Sequence, residues 1–366
     1  MNKSSIVLLL AASLAACSNA VPVTAAPSPP PVLEAVAPPA ALPPEIKTLP
    51  DDQARLVTVI AAYQAIAAAG GWPLVPEGRT LRPGDRDARI FELRNRLLDQ
   101  TDSDLFDPDL ATMVRHFQHR HGLEEDGIVG SKTLAALNIP IDQRIAQLQH
   151  NLKLIQVGHR QWDDRYIAVN VAAATYRLVE NGQTVFERRV IVGRPNWPTP
   201  LLNSVINEIV LHPTWTVPPR IAQLELLPRI KRDAGYLADH DMRWVDGMIR
   251  QAAGPRNPLG KVKFVFPNDE SVYLHDTNAP SLFNEAERHL SHGCVRLSNA
   301  VELARYLLLK EPGWNEEGLA ARLAEIRTER IRLSRPIPVH LVYDTAWVDP
   351  DGTVHFRDDV YGRDRP

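Results

Sequence analysis

The chain has 366 residues, enough for one large domain or two modest ones, and 44% of them are hydrophobic while 23% are charged. The 41 basic and 44 acidic residues leave a net charge of −3. That balance argues against a broad nucleic-acid-binding surface, which needs a basic excess. We therefore expect no nucleic-acid partner.

Residues 1–17 have the pattern of an export signal. Lys3 is followed by an apolar run over 6–12, which is too short to cross a membrane as a helix. The run leads into Leu14-Ala15-Ala16-Cys17, which resembles the lipobox of bacterial lipoproteins and implies cleavage before Cys17 and lipidation of its sulfur. An ordinary secretory signal with an incidental Cys17 is the alternative. Ser18 stands where Asp would resemble an inner-membrane retention signal, so we expect a periplasm-facing lipoprotein with an outer-membrane lipid anchor.

Two segments link this signal to the folded part of the chain. Residues 18–50 are rich in Ala, Pro and Val with few charges, which predicts an extended tether. Residues 51–78 are predicted to be a helical scaffold segment, because Leu56, Ile60 and Tyr63 recur at helical spacing until Gly70-Gly71.

Residues 79–140 contain three further helical patterns, over 88–98, 108–121 and 131–137, with Ser131 as the expected N-cap. The segment resembles the small three-helix peptidoglycan-binding domain of wall enzymes, which implies peptidoglycan as a partner. The resemblance is carried by Leu81, Gly84, Asp85, Leu93, Leu97, Val114, Phe117, Gln118, Gly122, Leu123, Asp126, Gly127, Gly130, Thr133, Leu134 and Leu137. His116, His119 and His121 suggest a metal cluster, but with no evident acidic partner a solvated helix face is the preferred interpretation.

The second half of the chain changes from helical to alternating patterns. A linking helix is predicted over 141–157, within a segment that ends at 165, and from Tyr166 the hydrophobic period is two. Asn181-Gly182 predicts a hairpin with a type I′ turn. Further strands are predicted over 204–211, 262–266, 272–275, 338–343 and 353–356, and helices after Pro218-Pro219 and over 298–309. The predicted fold is a multidomain α plus β chain: a small three-helix domain, then a mainly β domain with a helical insertion.

One segment carries the chemistry, Ser291-His292-Gly293-Cys294-Val295-Arg296. A cysteine attacks acyl carbons as a thiolate, and a nearby histidine such as His275 can take its proton and return it to a leaving amine. Gly293 allows a tight turn whose backbone N–H groups, at Gly293 and Cys294, can face an oxyanion. Zinc held by His275, His292 and Cys294 is an alternative, as is a disulfide between Cys17 and Cys294. Acyl transfer explains the whole motif better, so we expect neither metal nor other cofactor.

The spacing of His275 from Ser291-His292-Gly293-Cys294, with fifteen residues between, resembles the signature of the YkuD-type L,D-transpeptidases. The stretch from His212 to Pro219 resembles one found in the long Gram-negative, YcbB-like members, although His212 stands where they carry Asn. The resemblance implies a catalytic domain over 166–345, an insertion over 221–260 that covers the cleft, and a C-terminal hairpin and tail over 346–366.

The resemblance also implies a role for each site residue. Cys294 is the nucleophile and His275 the base, while the carbonyl of Asp276 orients the His275 ring. His292 is implied to be a supporting catalytic residue, with a purely structural hydrogen-bonding role as the alternative. The residues expected to bind substrate are Arg296, Ser291 and Trp215. A surface ion pair is the alternative for Arg296, and a core position or a contact that holds the insertion is the alternative for Trp215.

The implied reaction is release of the terminal D-Ala from a stem tetrapeptide through a cysteine thioester, followed by cross-linking to a second stem. Two alternatives use the same acyl-enzyme, with the lysine of a lipoprotein or water as acceptor. A wall-binding lipoprotein without catalysis is the third alternative. The resemblance further implies inhibition by carbapenems.

Overall fold

The computed structural model describes residues 52–97, 102–157 and 162–364. The predicted export signal, the lipobox with Cys17 and the tether lie outside these residues. The described helices are α1 (Asp52–Ala68), α2 (Arg89–Leu97), α3 (Pro108–Arg120), α4 (Ser131–Leu137), α5 (Ile141–Val157), α6 (Pro219–Ile221), α7 (Leu227–Arg232), α8 (Tyr236–Asp239), α9 (Ala300–Leu308) and α10 (Glu316–Ala324). None of the helices in these ranges is long and apolar enough to cross a membrane.

The named strands all come after α5 in the chain. They are β1 (Arg165–Asn170), β2 (Thr175–Glu180), β3 (Gln183–Gly193), β4 (Leu202–Leu211), β5 (Trp215–Thr216), β6 (Met242–Val245), β7 (Met248–Gln251), β8 (Val262–Val265), β9 (Leu274–His275), β10 (His289–Ser291), β11 (Val295–Leu297), β12 (Glu329–Val342), β13 (Ala346–Val348) and β14 (Val354–Phe356). The predicted order of a helical part before a mainly β part is confirmed.

Helices α2, α3 and α4 enclose one apolar core that includes Leu93, Phe106 and Phe117. Helix α3 begins where the Asp107 carboxylate accepts a hydrogen bond from the Leu110 N–H at 2.8 Å, an N-cap that satisfies one of the free donors of the first turn. The N-cap predicted at Ser131 is wrong, because Gly130 holds that position without a side-chain bond and Ser131 is the first residue of α4.

The scaffold helices α1 and α5 pack against each other and against the C-terminal hairpin formed by β13 and β14. The buried Asn151 side chain fixes the start of that hairpin, since it donates to Thr345 Oγ1 at 2.9 Å and accepts from the Thr345 N–H at 3.0 Å. The C-terminal hairpin therefore packs against helices α1 and α5.

The solvated helix face predicted for the three histidines is correct only for His119. His121 is stacked on Phe117, with ring centroids 3.8 Å apart, and on Phe356 at 5.6 Å, and burial holds its pKa well below the ordinary value. His116 is half-buried, and its Nε2 has no hydrogen-bond partner among the described residues. His119 is exposed and lies 2.9 Å from Glu125, an acidic partner that the sequence pattern did not reveal.

The catalytic part is built on one sheet with the strand order β10-β3-β11-β9-β8-β4-β12-β1-β2. Strand β2 also pairs with β3, so the sheet closes on itself. The β2–β3 hairpin turns at Asn181 and Gly182, whose φ angles of 51° and 74° match the predicted type I′ turn. The apolar core of this sheet is covered by α9, through Leu303 and Leu307.

The insertion is helical only in its first half. Helices α6 and α7 are joined by one turn of π-helix, Ala222–Leu226, and α8 follows. Strands β6 and β7 then form a hairpin that pairs with β5 in a separate three-stranded sheet. The predicted helical insertion thus corresponds to helices followed by a small sheet.

Candidate active site

Two neighbouring parallel strands bring the predicted catalytic residues together. Strand β9 ends at His275, and β11 begins directly after Cys294; Arg296 is paired with His275 across the two strands. The Val295 N–H donates to the Tyr273 carbonyl at 3.2 Å, which places Cys294 at the level of Tyr273. Because side chains alternate along a strand, Tyr273, His275, Cys294 and Arg296 share one face of the sheet.

His275 is a buried, neutral imidazole. Its Nδ1 lies 2.6 Å from the Asp276 carbonyl oxygen, as expected, and because a carbonyl can only accept, Nδ1 carries the ring proton and Nε2 is free of one. Burial, with the positive charges of Arg296 and Lys263, lowers the His275 pKa to about 3, against opposing contributions from the backbone of Asp276 and Pro258. The ring is therefore available as a proton acceptor at neutral pH.

Cys294 is half-buried and is a free thiol. Burial raises its pKa, and hydrogen bonds with Tyr273 and the charges of Lys263 and Arg296 act in the opposite direction. Its Sγ lies 4.0 Å from the Ser271 carbonyl, and within the described chain it makes no hydrogen bond with His275. The resting site is thus a protonated thiol beside a neutral imidazole, and proton transfer must accompany attack on a substrate.

The turn before Cys294 is stabilised by hydrogen bonds of a buried side chain. Gly293 has a φ of 109°, which a residue with a side chain rarely adopts. Ser291 is 2% exposed, and its hydroxyl donates to the Cys294 carbonyl at 2.6 Å and accepts from the Gly293 N–H at 3.1 Å. Ser291 is thus buried and bonded within the turn, and the Gly293 N–H, which was expected to face an oxyanion, is already engaged by Ser291.

The Cys294 N–H has no hydrogen-bond acceptor among the described residues, so it is the backbone donor that remains for an oxyanion. Thr199, which is fully buried, braces the same turn: its hydroxyl donates to the Gly293 carbonyl at 2.8 Å and accepts from the Gly193 N–H at 2.8 Å. Tyr361, in the C-terminal tail, donates to the Gly193 carbonyl and accepts from the Thr199 N–H at 3.2 Å.

His292 contacts the insertion. Its Nε2 lies 2.5 Å from Glu225 Oε1, on the π-helical turn, and 2.7 Å from Arg194 Nη2. Its ring also meets Trp197 edge-on, at 4.8 Å between centroids. These contacts connect the motif that contains Cys294 with the insertion. Across the described ranges, no group of three His, Cys, Asp or Glu side chains is placed to hold a metal ion.

Two cations lie beside the catalytic pair. Lys263 Nζ sits 3.6 Å from the centre of the Tyr273 ring, and Arg296 follows Cys294 on the same face. Neither makes an ion pair with any residue that the structure describes, and burial lowers the pKa of both. Burial raises the pKa of Tyr273, and the neighbouring Trp215 side chain acts in the opposite direction. Trp215 also packs on the core of the insertion, so it joins the insertion to the site.

Sequence reasoning missed Tyr273, Lys263, Glu225 and Thr199. Tyr273 was within reach, because it stands two residues before His275 and strand alternation places the two side chains on one face. Glu225 had no such signal, because it lies 67 residues from His292 in the chain.

Comparison with known proteins agrees with this geometry. Residues 164–314 match the family model of the L,D-transpeptidase catalytic domain, YkuD, and residues 92–137 match the model described as "Putative peptidoglycan binding domain". A protein of Haemophilus influenzae named "Putative L,D-transpeptidase" is 33% identical over 246 residues, which cover 62% of this chain and 49% of that protein. The chain thus spans about half the length of this curated relative.

Solved structures of similar proteins include the L,D-transpeptidase of Stackebrandtia nassauensis, which is 15% identical, with a TM-score of 0.29, over 74% of this chain and 97% of that one. The L,D-transpeptidase of Xylanimonas cellulosilytica is 16% identical, with a TM-score of 0.26, over 73% of this chain and 98% of that one. The match to the catalytic-domain model includes both His275 and Cys294. Residues 164–314 are thus similar to the L,D-transpeptidase catalytic domain, and residues 92–137, which precede them, are similar to a peptidoglycan-binding domain.

Proposed function

We propose that this protein is a cysteine transpeptidase that cross-links peptidoglycan stems. The observation that supports it most is the placement of Cys294 and His275 on adjacent parallel strands, with the His275 ring fixed by the Asp276 carbonyl. A nucleophile, a base and a group that orients the base are the parts that acyl transfer needs.

In the first step, Cys294 Sγ attacks the carbonyl carbon that precedes the terminal D-Ala of a stem tetrapeptide. His275 takes the thiol proton at Nε2 and returns it to the nitrogen of D-Ala as the C–N bond breaks, which leaves a thioester. In the second step, an amine of another stem attacks the thioester carbon, its proton passes to His275, and the thiol is regenerated. The Cys294 N–H is the donor that would stabilise the oxyanion of both steps.

Recognition of the donor stem is assigned to Arg296 and Lys263. Both cations are partly buried, face the catalytic residues and have no acidic partner in the described chain. A stem carboxylate placed between them would supply that partner, and the guanidinium group of Arg296 can bind it through two parallel hydrogen bonds. Trp215, which is half-buried next to Tyr273, would form a wall of the same cleft.

The setting of this reaction is the periplasm. We propose that Cys17 is lipidated and anchors the chain in the outer membrane, that residues 18–50 act as the tether, and that the peptidoglycan-binding domain holds the catalytic domain at the wall. Metabolic labelling with a palmitate analogue tests the anchor: label should enter the wild-type chain but not Cys17→Ser. Label in both would exclude lipidation at Cys17.

Mass spectrometry of wall fragments tests the reaction itself. The protein is incubated with disaccharide-tetrapeptide beside Cys294→Ala, and a cross-linked dimer that forms only with Cys294 establishes the transpeptidase. Tripeptide without dimer would instead indicate hydrolysis, or a lipoprotein acceptor absent from the assay. No reaction, together with no adduct between Cys294 and a carbapenem, would leave a wall-binding lipoprotein.

A further inference from the structure

A cavity lies where the peptidoglycan-binding domain meets the scaffold helices and the C-terminal hairpin, remote in sequence from the catalytic motif. Its lining includes three arginines, Arg96 on α2, Arg120 at the end of α3 and Arg144 on α5. Aromatic rings form much of the remaining wall, among them Trp72 and Phe356. The catalytic reaction makes no use of these groups.

Two of the arginines are almost fully buried and are held in place by protein contacts. Arg96 is 6% exposed; its Nε donates to the Leu137 carbonyl at 2.8 Å and its guanidinium lies 4.1 Å from the Trp72 ring centre. Arg144 is 5% exposed, donates to Gln147 at 2.9 Å and lies 4.3 Å from the Phe356 ring centre. These contacts fix the guanidinium groups but supply no negative charge.

Two further polar groups of the cavity, on Arg120 and Tyr63, lack partners among the described residues. The Arg120 guanidinium makes no hydrogen bond or ion pair with any residue in the described part of the chain, although it lines the cavity. The Tyr63 side chain is 95% buried, its hydroxyl likewise has no partner among these residues, and the charges of Arg120, Arg96 and Arg144 all act on it. The arginine donors therefore converge on one space that contains no carboxylate of the described residues to accept from them.

The charge of this space is one-sided. No Asp or Glu of the described ranges lines the cavity, and Asp358 is the acidic residue whose charge acts on Arg144. Burial lowers the pKa of Arg96 and of Arg144 to about 10, so both remain cationic at neutral pH. Buried like charges without a counter-charge are costly, and a bound anion is the usual compensation.

We propose that this cavity binds a compact oxyanion, a carboxylate or an inorganic phosphate or sulfate, between Arg120, Tyr63, Arg96 and Arg144. The close aromatic walls favour a small group over a sugar ring. Since the lining residues belong to the peptidoglycan-binding domain, the scaffold helices and the hairpin, the anion would hold these three parts together. A free inorganic anion and the carboxylate end of a wall peptide offer the same chemistry.

Calorimetric titration of the full chain tests the site, with sodium phosphate, sodium sulfate and N-acetyl-D-alanine as separate probes at matched ionic strength. We expect saturable binding of at least one probe and a higher melting temperature in its presence. Arg120→Gln should weaken that binding about tenfold to hundredfold, the range for a lost hydrogen bond to a charged group. Phosphate or sulfate binding identifies an inorganic ligand, and N-acetyl-D-alanine binding identifies a peptide terminus.

Arg115→Gln is the matched control, because Arg115 lies on the same helix, is exposed and donates to Thr112 at 3.1 Å without lining the cavity. It should bind the probe like the wild type. In anion-free buffer, Arg120→Gln should be at least as stable as the wild type, since it removes one of three like charges. No binding of any probe, or equal binding by Arg120→Gln and the wild type, overturns the proposal.

Discussion

Replacing Glu225 by alanine tests whether the insertion controls the active site through His292. In the structure the Glu225 carboxylate lies 2.5 Å from His292 Nε2 and 3.5 Å from Arg194 Nη2. One proton must lie between the carboxylate and the imidazole, because two lone pairs at that distance would repel. The contact therefore ties the π-helical turn of the insertion to the residue two positions before Cys294.

The size of the effect follows from exposure. A hydrogen bond to a charged group contributes about 1.5–3 kcal/mol when shielded. The side chains of His292 and Glu225 are 22% and 33% exposed, so solvent screening reduces this towards the ~1 kcal/mol of a good surface ion pair. A loss of ~1 kcal/mol weakens the attachment of the insertion to the motif about fivefold, and kcat/KM should fall by about that factor where substrate binds against the attached insertion. Glu225→Gln keeps an oxygen acceptor and should lose less.

The assay is kcat/KM for D-Ala release, measured for Glu225→Ala, for His292→Ala and for the double variant. Coupling should appear as a double variant no worse than the more damaged single one. Glu329→Ala is the control. Glu329 is the first residue of β12 and forms an exposed ion pair with Arg322 at 3.2 Å. If Glu225→Ala matches this control, or if its effect simply adds to that of His292→Ala, the insertion does not act through His292.

Three further outcomes are expected. His275 is neutral in the fold, with a pKa of about 3 against about 6.5 when unfolded. Its contribution to stability is therefore present above pH 6.5 and is lost as the pH falls towards 3. Between pH 7 and pH 5 the melting temperature should fall less for His275→Gln than for the wild type. Thr199→Val leaves a buried carbonyl at Gly293 and a buried N–H at Gly193 unpaired, and urea titration should show about 1–3 kcal/mol less stability together with slower turnover. His212→Asn should raise the melting temperature, because His212 has a φ of 44°, which Asn tolerates better, and its buried Nε2 has no partner in the described chain; a lower melting temperature would show that the imidazole packs usefully there.

Local sequence signals predicted the elements that carry strong periodicity. Helix α5 has the predicted bounds, and the Asn181-Gly182 turn has the predicted geometry, because both depend on residues close in the chain. The prediction for β12 covered only its end: the strand begins at Glu329, and its register breaks between Arg332 and Ile337, around Pro336, which cannot donate to a ladder. A proline and a bulge hide the alternation that would have shown the full strand.

The candidate site was predictable where a motif and a strand end coincide, and not where the fold supplies the partner. Cys294 and His275 lie in such positions, and the structure brings them to neighbouring strands. Ser291 shows the limit, since a serine beside a nucleophile looks equally like a substrate contact or a turn brace until its burial is known. Glu225 was less predictable still, because its contact with His292 depends on how the insertion over 221–260 packs against the motif that contains Cys294.

The positive charges of Lys263 and Arg296 favour the nucleophile but weaken the base. The variant Lys263→Met tests the effect of one of these charges on the nucleophile. Positive charge lowers the pKa of the Cys294 thiol, which favours the nucleophile, and also lowers the pKa of His275, which weakens the base. A substrate carboxylate between the cations would cancel part of the charge and restore proton affinity to His275 when it is needed. With Lys263→Met, the pH profile of Cys294 alkylation should move to higher pH, whereas the exposed Lys261→Met should leave it unchanged. An unchanged profile for Lys263→Met would mean that the charge of Lys263 does not alter the pKa of the Cys294 thiol, which would contradict the reasoning.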